Sequence, residues 1–187
     1  METSTIVIIV IVGLLLLFVF YAIGVYNKLV NARNKVNNQW SQIDIQLKRR
    51  ADLIPNLVET VKGYAKHEEG TLTSVIEARN KAVSAGSVND KIDAENQLTG
   101  ALNKLFALTE AYPDLKANTN FMSLQNDLKD TEDKITYARQ FYNDSAMSFN
   151  DLVEMFPSNI VAKMFGFKNY EFFAANEEEK KTPKVKF

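Results

Sequence analysis

The hydrophobic positions of this chain form one unbroken apolar run followed by four stretches with helical spacing. The run covers residues 6–26 and holds no charged residue. As a helix it is long enough to cross the hydrocarbon core of a bilayer, which needs about 20 apolar residues. The pattern predicts a transmembrane anchor at residues 6–26, after a short N-terminal tail at residues 1–5.

A secretory signal peptide is the alternative explanation of the apolar run. Ala22 and Gly24 form a weak small-x-small cleavage pattern. A signal peptide, however, has a positive segment before an apolar core of roughly 7–15 residues. Here the only charged side chain before the longer run is Glu2, and a retained anchor is therefore favoured.

Two interleaved heptad seams, typical of a coiled coil, predict a long first helix that extends towards Lys66. Steps of alternately four and three residues place both seams on one helix face. Pro55 removes one helical hydrogen bond, but the seams continue in phase across it, which predicts a kink and not a domain boundary. The seams comprise Leu29, Val36, Ile43, Arg50, Leu57 and Tyr64, and Arg33, Trp40, Leu47, Ile54 and Val61.

A second and a third helix are predicted on either side of the turn-like segment SAGSVND. The second covers residues 67–85, and the third follows Ser87, whose spacing from Asp90 resembles a capping box. The third helix is expected to stop at Pro113. The apolar stripe of the second helix comprises Leu72, Ile76, Arg79 and Val83, and that of the third Leu98, Ala101, Leu105, Leu108 and Tyr112.

The fourth helix has the most regular pattern in the chain and covers residues 121–156. Asn118 or Asn120 is a suitable N-cap, and Pro157 ends the helix. Its stripe comprises Phe121, Leu124, Leu128, Thr131, Ile135, Ala138, Tyr142, Ser145, Phe149, Leu152 and Phe156.

Helix lengths lead to an all-α architecture in which the first and last helices are long. At 1.5 Å per residue these two measure about 55–60 Å, and the middle two about 27 and 37 Å. An antiparallel up-and-down four-helix bundle over residues 27–156 accommodates these lengths with short loops. A fused middle pair would give a three-helix bundle, but the SAGSVND break favours four helices. The even count returns an aromatic segment at residues 157–175 to the membrane face, before a charged tail at residues 176–187 that we expect to be disordered.

Composition excludes several classes of chemistry. The 22 Lys and Arg residues nearly balance the 23 Asp and Glu residues, and the chain has no Cys. A broad basic field for nucleic acid and a thiolate or Cys-based metal site are therefore absent. His67 is the single histidine and cannot build a metal or catalytic site alone. Asp127, Asp130, Glu132 and Asp133 fall mostly off the apolar seam and indicate a solvated face. No enzyme activity, metal or cofactor is predicted.

A polar cluster before the predicted kink is the first candidate interaction site. Arg50 occupies an apolar seam position, where an unpaired charge is costly, and should therefore meet Glu110 or Glu132 or lie where the bundle opens. It is either a buried ion pair that sets the helix register or part of a notch that binds an anion or a partner. The cluster comprises Lys48, Arg49, Arg50, Asp52 and Pro55.

The aromatic segment after the fourth helix is the second candidate. It can pack back on the bundle, lie in the bilayer interface or contact another protein. Packing back is the default for large apolar side chains, whereas interleaved lysines suit an interfacial segment on anionic lipid. The candidate residues are Lys163, Phe165, Phe167, Lys168, Tyr170, Phe172 and Phe173.

Three long blocks resemble the LemA family. They read YNKLVNARNKVNNQWSQIDIQLKRRADLIPNLVETVKGYAKHE, YPDLKANTNFMSLQNDLKDTEDKITYARQFYND and FPSNIVAKMFGF. The resemblance implies a single-pass membrane protein with a left-handed up-and-down helical bundle and no assigned chemistry. One branch of the family is associated with building magnetosome membranes, which suggests a scaffold role.

These observations predict a non-enzymatic scaffold or adaptor on the bacterial inner membrane, in contact with the bilayer and self-associating. Lys28, Arg33 and Lys35 follow the apolar run. The positive-inside rule therefore places the N-terminus outside and the folded part in the cytoplasm. The alternative is a regulatory subunit that binds a membrane protease or transporter through the Arg50 and Pro55 region.

Overall fold

The computed structural model describes residues 2–173, and in that range the chain forms helices and no strands. The predicted all-α fold class is confirmed. The charged tail predicted at residues 176–187, and residues 174–175 of the aromatic segment, lie outside the described residues. The helices are α1 (Glu2–Tyr64), α2 (Glu69–Ser84), α3 (Val88–Thr109), α4 (Pro113–Lys116), α5 (Thr119–Glu154) and α6 (Ser158–Met164).

Helix α1 joins the apolar run to the first amphipathic stretch without a break. It is long and apolar enough to cross a membrane, and none of its most apolar window is buried. Leu29 is fully buried, three residues after the run ends at Tyr26. One helix thus passes directly from an apolar, exposed surface to a surface that packs in a protein core.

The predicted α1 seams are buried along most of their length, with two corrections. Tyr64 and Arg33 are exposed. The Tyr64 hydroxyl accepts a hydrogen bond from Asn118 Nδ2 at 2.9 Å, and the Arg33 guanidinium lies 5.5 Å from the centroid of the Phe167 ring. Both side chains sit at the margin of the seam, where their polar ends reach partners or water.

Several helix ends differ from the prediction. Helix α2 begins at Glu69, and its buried face is rotated, because Val75 and Ala82 are buried whereas Val83 is exposed. The predicted cap at Ser87 is confirmed, since its Oγ accepts a hydrogen bond from the Asp90 backbone N–H at 3.1 Å.

The expectation that Pro113 stops the third helix was wrong. Helix α3 already ends at Thr109, and Pro113 begins the short helix α4. Proline is favoured in the first turn of a helix, where its missing N–H would have had no intrahelical acceptor. The fourth long helix ends at Glu154 and not at Phe156.

The chain divides into two compact units. The first unit combines Met1–Ser41 with Gln140–Phe172. Its core contains residues from α1, α5 and α6, and the Trp40 and Tyr142 rings meet edge to face with centroids 5.8 Å apart. The fully or nearly fully buried side chains of this unit's core are Leu29, Val36, Tyr142, Ala146, Phe149, Val161 and Ala162.

The second unit combines Gln42–Arg139 with Phe173–Phe187, of which the structure describes residues 42–139 and 173. Its core is built from the second half of α1, from α2, α3 and α4, and from the start of α5. The side chains that form one contiguous cluster include Ile54, Leu57, Val61, Leu72, Val75, Leu98, Leu105, Leu115, Phe121 and Leu128.

The N-cap of α5 provides a test of this helix boundary. The Asn118 Oδ1 accepts a hydrogen bond from the Phe121 backbone N–H at 3.0 Å, which decides between the two predicted caps. We expect Asn118→Ala to lower the free energy of unfolding by about 1 kcal/mol more than Tyr64→Phe, which removes only the exposed hydrogen bond between Asn118 and Tyr64, because a lost N-cap usually costs that much. The matched control Asn120→Ala should cost nothing. Denaturant titration of the detergent-solubilised chain measures all three changes, and equal effects of the two alanine variants would contradict the assignment.

Candidate functional site

Arg50 lies at the centre of a buried polar network in the second unit. Only 3% of its surface is exposed. Its Nη1 lies 3.2 Å from Glu95 Oε2 and 3.0 Å from Glu132 Oε2. Its Nη2 donates a hydrogen bond to Thr99 Oγ1 at 2.8 Å. Helices α1, α3 and α5 thus each contribute at least one member of the network.

Glu95 is the carboxylate that this network buries most deeply. It is 3% exposed. Burial raises its pKa, because the charged form loses hydration, while the neighbouring Arg50 and Arg139 guanidinium groups oppose the rise and Glu132 adds to it. Glu95 and Glu132 share one Arg50 nitrogen, so their repulsion is part of the same balance. The network therefore places two carboxylates against one guanidinium group.

The sequence predicted part of this network. Glu132 is one of the two carboxylates expected to meet Arg50, and that contact is present. Glu110 is not a partner, because it pairs with Lys116 on the neighbouring short helix. Glu95 was missed, although it lies three residues before Leu98 and thus extends the buried stripe of α3 by one helical step.

The other members of the predicted polar cluster do not converge with Arg50. Lys48 and Asp52 form an exposed i,i+4 pair at 3.4 Å. Arg49 is half-exposed and lies 3.5 Å from Asp127 and 3.8 Å from Asp130 on α5. Such exposed pairs contribute little stability. The structure therefore separates one buried cation from a set of surface charges.

Pro55 removes one backbone hydrogen bond from α1. A helical proline has no N–H for the carbonyl four residues earlier, which here belongs to buried Ala51. Arg79 of α2 donates a hydrogen bond from Nε to the Ala51 oxygen at 3.2 Å. This contact explains why a charged residue occupies the predicted apolar stripe of α2.

A groove of about 850 Å³ opens between α1 and α2 beside Pro55. Its apolar lining consists of Pro55, Val58, Leu72 and Ile76, and both signs of charge surround that lining. The polar residues along the groove are Glu59, Lys62, Lys66, Glu69, Thr73 and Glu77.

The aromatic segment packs on α1 and α5 in the first unit. The Tyr26 ring lies 4.7 Å from Phe165 and 5.9 Å from Phe167, measured between centroids. Phe149 of α5 meets Phe167 at 6.1 Å and Tyr170 at 5.2 Å. The inner side of this aromatic segment therefore packs back on the protein, which is the default expectation for large apolar side chains.

Asn150 fixes the end of the aromatic segment with a reciprocal pair of hydrogen bonds. Its Nδ2 donates to the Tyr170 carbonyl, and its Oδ1 accepts from the Tyr170 N–H, both at 2.9 Å. The Tyr142 hydroxyl donates to the Glu171 carbonyl at 3.1 Å, and burial raises the pKa of Tyr142. Asn150 adjoins Phe149 in the sequence, but the regular stripe gave no sign of this role.

The remaining candidate residues of the segment divide between two environments. Lys163, Phe165, Lys168 and Phe172 are exposed. Phe173 is buried in the second unit, with the Arg139 guanidinium 5.5 Å from its ring centroid.

His67 lies exposed in the turn between α1 and α2. Among the described residues, the acidic and histidine side chains form no group of three or more that could hold a metal ion.

The buried network makes a specific stability prediction. Arg50→Leu leaves Glu95 buried without its cation, so the free energy of unfolding should fall by about 3–5 kcal/mol. Replacing both residues by Leu should recover most of that loss, because an apolar pair avoids the cost of burying charge. Chemical denaturation of the three chains measures this. Unchanged stability of Arg50→Leu with loss of a bound partner would favour the notch hypothesis.

The hydrogen bond from Arg79 to the Ala51 carbonyl takes the place of the backbone bond that Pro55 cannot make. A double-mutant cycle tests this assignment. Arg79→Met should cost about 1–3 kcal/mol, because it leaves the buried Ala51 carbonyl without a donor. Pro55→Ala restores a backbone N–H, and in that background the same Arg79 change should cost less. An equal cost in both backgrounds would show that Arg79 does not substitute for the missing bond.

Comparisons with known proteins show which family this chain belongs to. The LemA family matches residues 39–187. Protein LemA of Metamycoplasma hominis is 30% identical over 171 residues, which are 88% of this chain and 75% of the relative. Magnetosome protein MamQ of Magnetospirillum gryphiswaldense is 24% identical over 174 residues, and magnetosome protein MamQ 2 of Paramagnetospirillum magneticum is 25% identical. The alignments cover 79% of this chain and 64% of each MamQ protein. The extent of the family match and the identity to protein LemA show that this chain belongs to the LemA family.

Proposed function

We propose that this chain is a non-enzymatic single-pass protein of the bacterial inner membrane that presents a cytoplasmic helical bundle as a scaffold or adaptor. The observation that carries the proposal is the continuity of α1, which enters the protein core at Leu29 directly after the apolar run. A helix without a linker holds the domain at a set height above the bilayer. A flexible tether would leave that height free.

The finer architecture is part of the proposal. The four long helices α1, α2, α3 and α5 have the lengths and short connections of an up-and-down bundle. The family resemblance adds a left-handed bundle. Lys28, Arg33 and Lys35 after the apolar run support a cytoplasmic domain by the positive-inside rule.

The contacts of the buried Arg50 favour a scaffold role over catalysis. Arg50 directs its contacts to Glu95, Glu132 and Thr99 within the protein. A cation engaged in this way supports helix register more readily than it binds substrate. The similarity to proteins named for the magnetosome supports work at a membrane, and self-association is the simplest way for one bundle to build a scaffold.

A second candidate function has one observation in its favour. The groove beside Pro55 offers an apolar lining with charged margins, which suits an amphipathic segment of another protein. In this alternative, the chain is a regulatory subunit that binds a membrane protease or transporter through the Arg50 and Pro55 region.

Alkaline extraction of membranes tests the anchor. We expect the full-length chain to stay in the pellet. A control with Leu15→Arg and Phe18→Arg should be released, because each charge at the centre of a span costs about 2.5–3.5 kcal/mol. Protease treatment of sealed vesicles from either side reports the orientation. A mature chain trimmed near Gly24 and free in solution would overturn the proposal.

Crosslinking in intact membranes separates scaffold from regulator. Homotypic adducts alone support the scaffold. A single foreign protein in fixed stoichiometry supports the regulator if Thr73→Arg, in the groove, abolishes the adduct. The exposed Ser123, which does not line the groove, provides the matched control Ser123→Arg.

A further inference from the structure

A group of large apolar side chains is exposed where α5 ends and α6 runs. Phe156, the most exposed of them, has 79% of its surface accessible. Ile160 and Met164 are four residues apart and therefore share one face of α6. We call these residues the α6 patch: Met155, Phe156, Ile160, Met164 and Phe165.

The α6 patch is the outer side of a segment whose inner side is already packed. Val161 and Ala162 of α6 are fully buried in the first unit. The residues that follow α6 are fixed to α5 by the two hydrogen bonds between the Asn150 side chain and the Tyr170 backbone. The patch residues are therefore not the inner face of α6, and an exposed apolar cluster on an ordered surface indicates an interaction site.

The position of Phe165 relative to α1 indicates what could cover the patch. The Phe165 ring contacts Tyr26 at 4.7 Å, and Tyr26 is the last residue of the apolar run. That run is about 31 Å long as a helix, which matches the roughly 30 Å hydrocarbon core of a bilayer. Tyr26 then lies at the membrane boundary, where Tyr and Trp are enriched, and Phe165 lies beside it.

The lysines around the patch suit an anionic lipid surface, whereas Asp151 and Glu154 are exposed acidic residues near the end of α5. Lys163 and Lys168 are exposed within the same segment. The nearby Glu154 carboxylate accepts a hydrogen bond from the Asn169 side chain. Lysines beside apolar side chains are typical of segments that lie in the plane of an anionic membrane.

We propose that the α6 patch inserts into the boundary between headgroups and acyl chains, as a second membrane contact beside the α1 span. This inference rests on the proposed anchoring of α1. The two contacts come from distant parts of the sequence, so together they fix the rotation of the first unit about the α1 axis as well as its height. A single span would leave that rotation free.

Fluorescence quenching in proteoliposomes tests the inserted patch. Trp40 is the only tryptophan, so Trp40→Phe gives a dark background in which one tryptophan can be placed. The full chain with Trp40→Phe and Phe156→Trp is reconstituted in phosphatidylcholine and phosphatidylglycerol, with or without bromine near the headgroup end of the acyl chains. We expect at least a two-fold loss of emission, because interfacial segments bury their apolar face ~5–10 Å into that boundary.

Phe141→Trp in the same background is the matched control. Phe141 is an exposed aromatic residue of α5, about 20 Å before the end of that helix, and its emission should not change. Adding Lys163→Glu and Lys168→Glu to the Phe156→Trp chain should reduce the quenching in anionic vesicles.

The outcomes separate this inference from the proposed function. Unquenched emission at position 156, in a chain that resists alkaline extraction, overturns the inserted patch and leaves the anchor intact. Unquenched emission together with a crosslink between two copies at position 156 would show that a second copy of this chain, and not lipid, covers the patch. Release of the chain by alkali overturns both proposals.

Discussion

The structure depends on one helix that joins an exposed apolar segment to a segment packed in protein. Residues 6–26 of α1 present apolar side chains on all faces, as lipid requires, and from Leu29 onward the same helix buries one face in protein. Helical hydrogen bonds are satisfied within the segment in either environment, so the change needs no loop and no extra partners. In the proposed membrane-anchored state, the core seam therefore starts at a distance from the membrane boundary that is set by residue number alone. The contact between Tyr26 and Phe165 joins the end of the apolar run to the segment that follows α6.

Several of the polar groups placed inside this helical protein are met by a specific partner. The Ala51 carbonyl that Pro55 leaves unpaired receives Arg79. Arg50 meets two carboxylates and a hydroxyl, and the side-chain amide of Asn150 replaces a backbone partner for Tyr170. Unpaired polar groups at such positions would be costly. These contacts therefore select one relative placement of the helices that carry them, whereas apolar stripes alone tolerate several.

Long stripes were predictable from the sequence because a helix repeats its inward face every three to four residues. The α1 seams and the α5 stripe follow from that rule. The cap at Ser87 follows from side-chain chemistry, which left both Asn118 and Asn120 open as the cap of α5. Features decided by tertiary packing were not predictable. Pro113 begins a helix as readily as it ends one, α6 is too short to show periodicity, and Glu95 is recognisable as a partner of Arg50 only when α1 and α3 lie side by side. The sequence also grouped Phe165 with Phe173, which the fold places in different units.

The most direct test of the account is the continuity of α1 across the membrane boundary. The chain has no cysteine, so single spin-labelled cysteines can be placed at every position from 20 to 36 in proteoliposomes. Accessibility to oxygen and to a polar nickel complex should oscillate with an unbroken period of about 3.6 residues, and the preference should change from oxygen to nickel near Tyr26. Fast label motion and loss of the period between residues 26 and 29 would show a flexible tether and contradict the account.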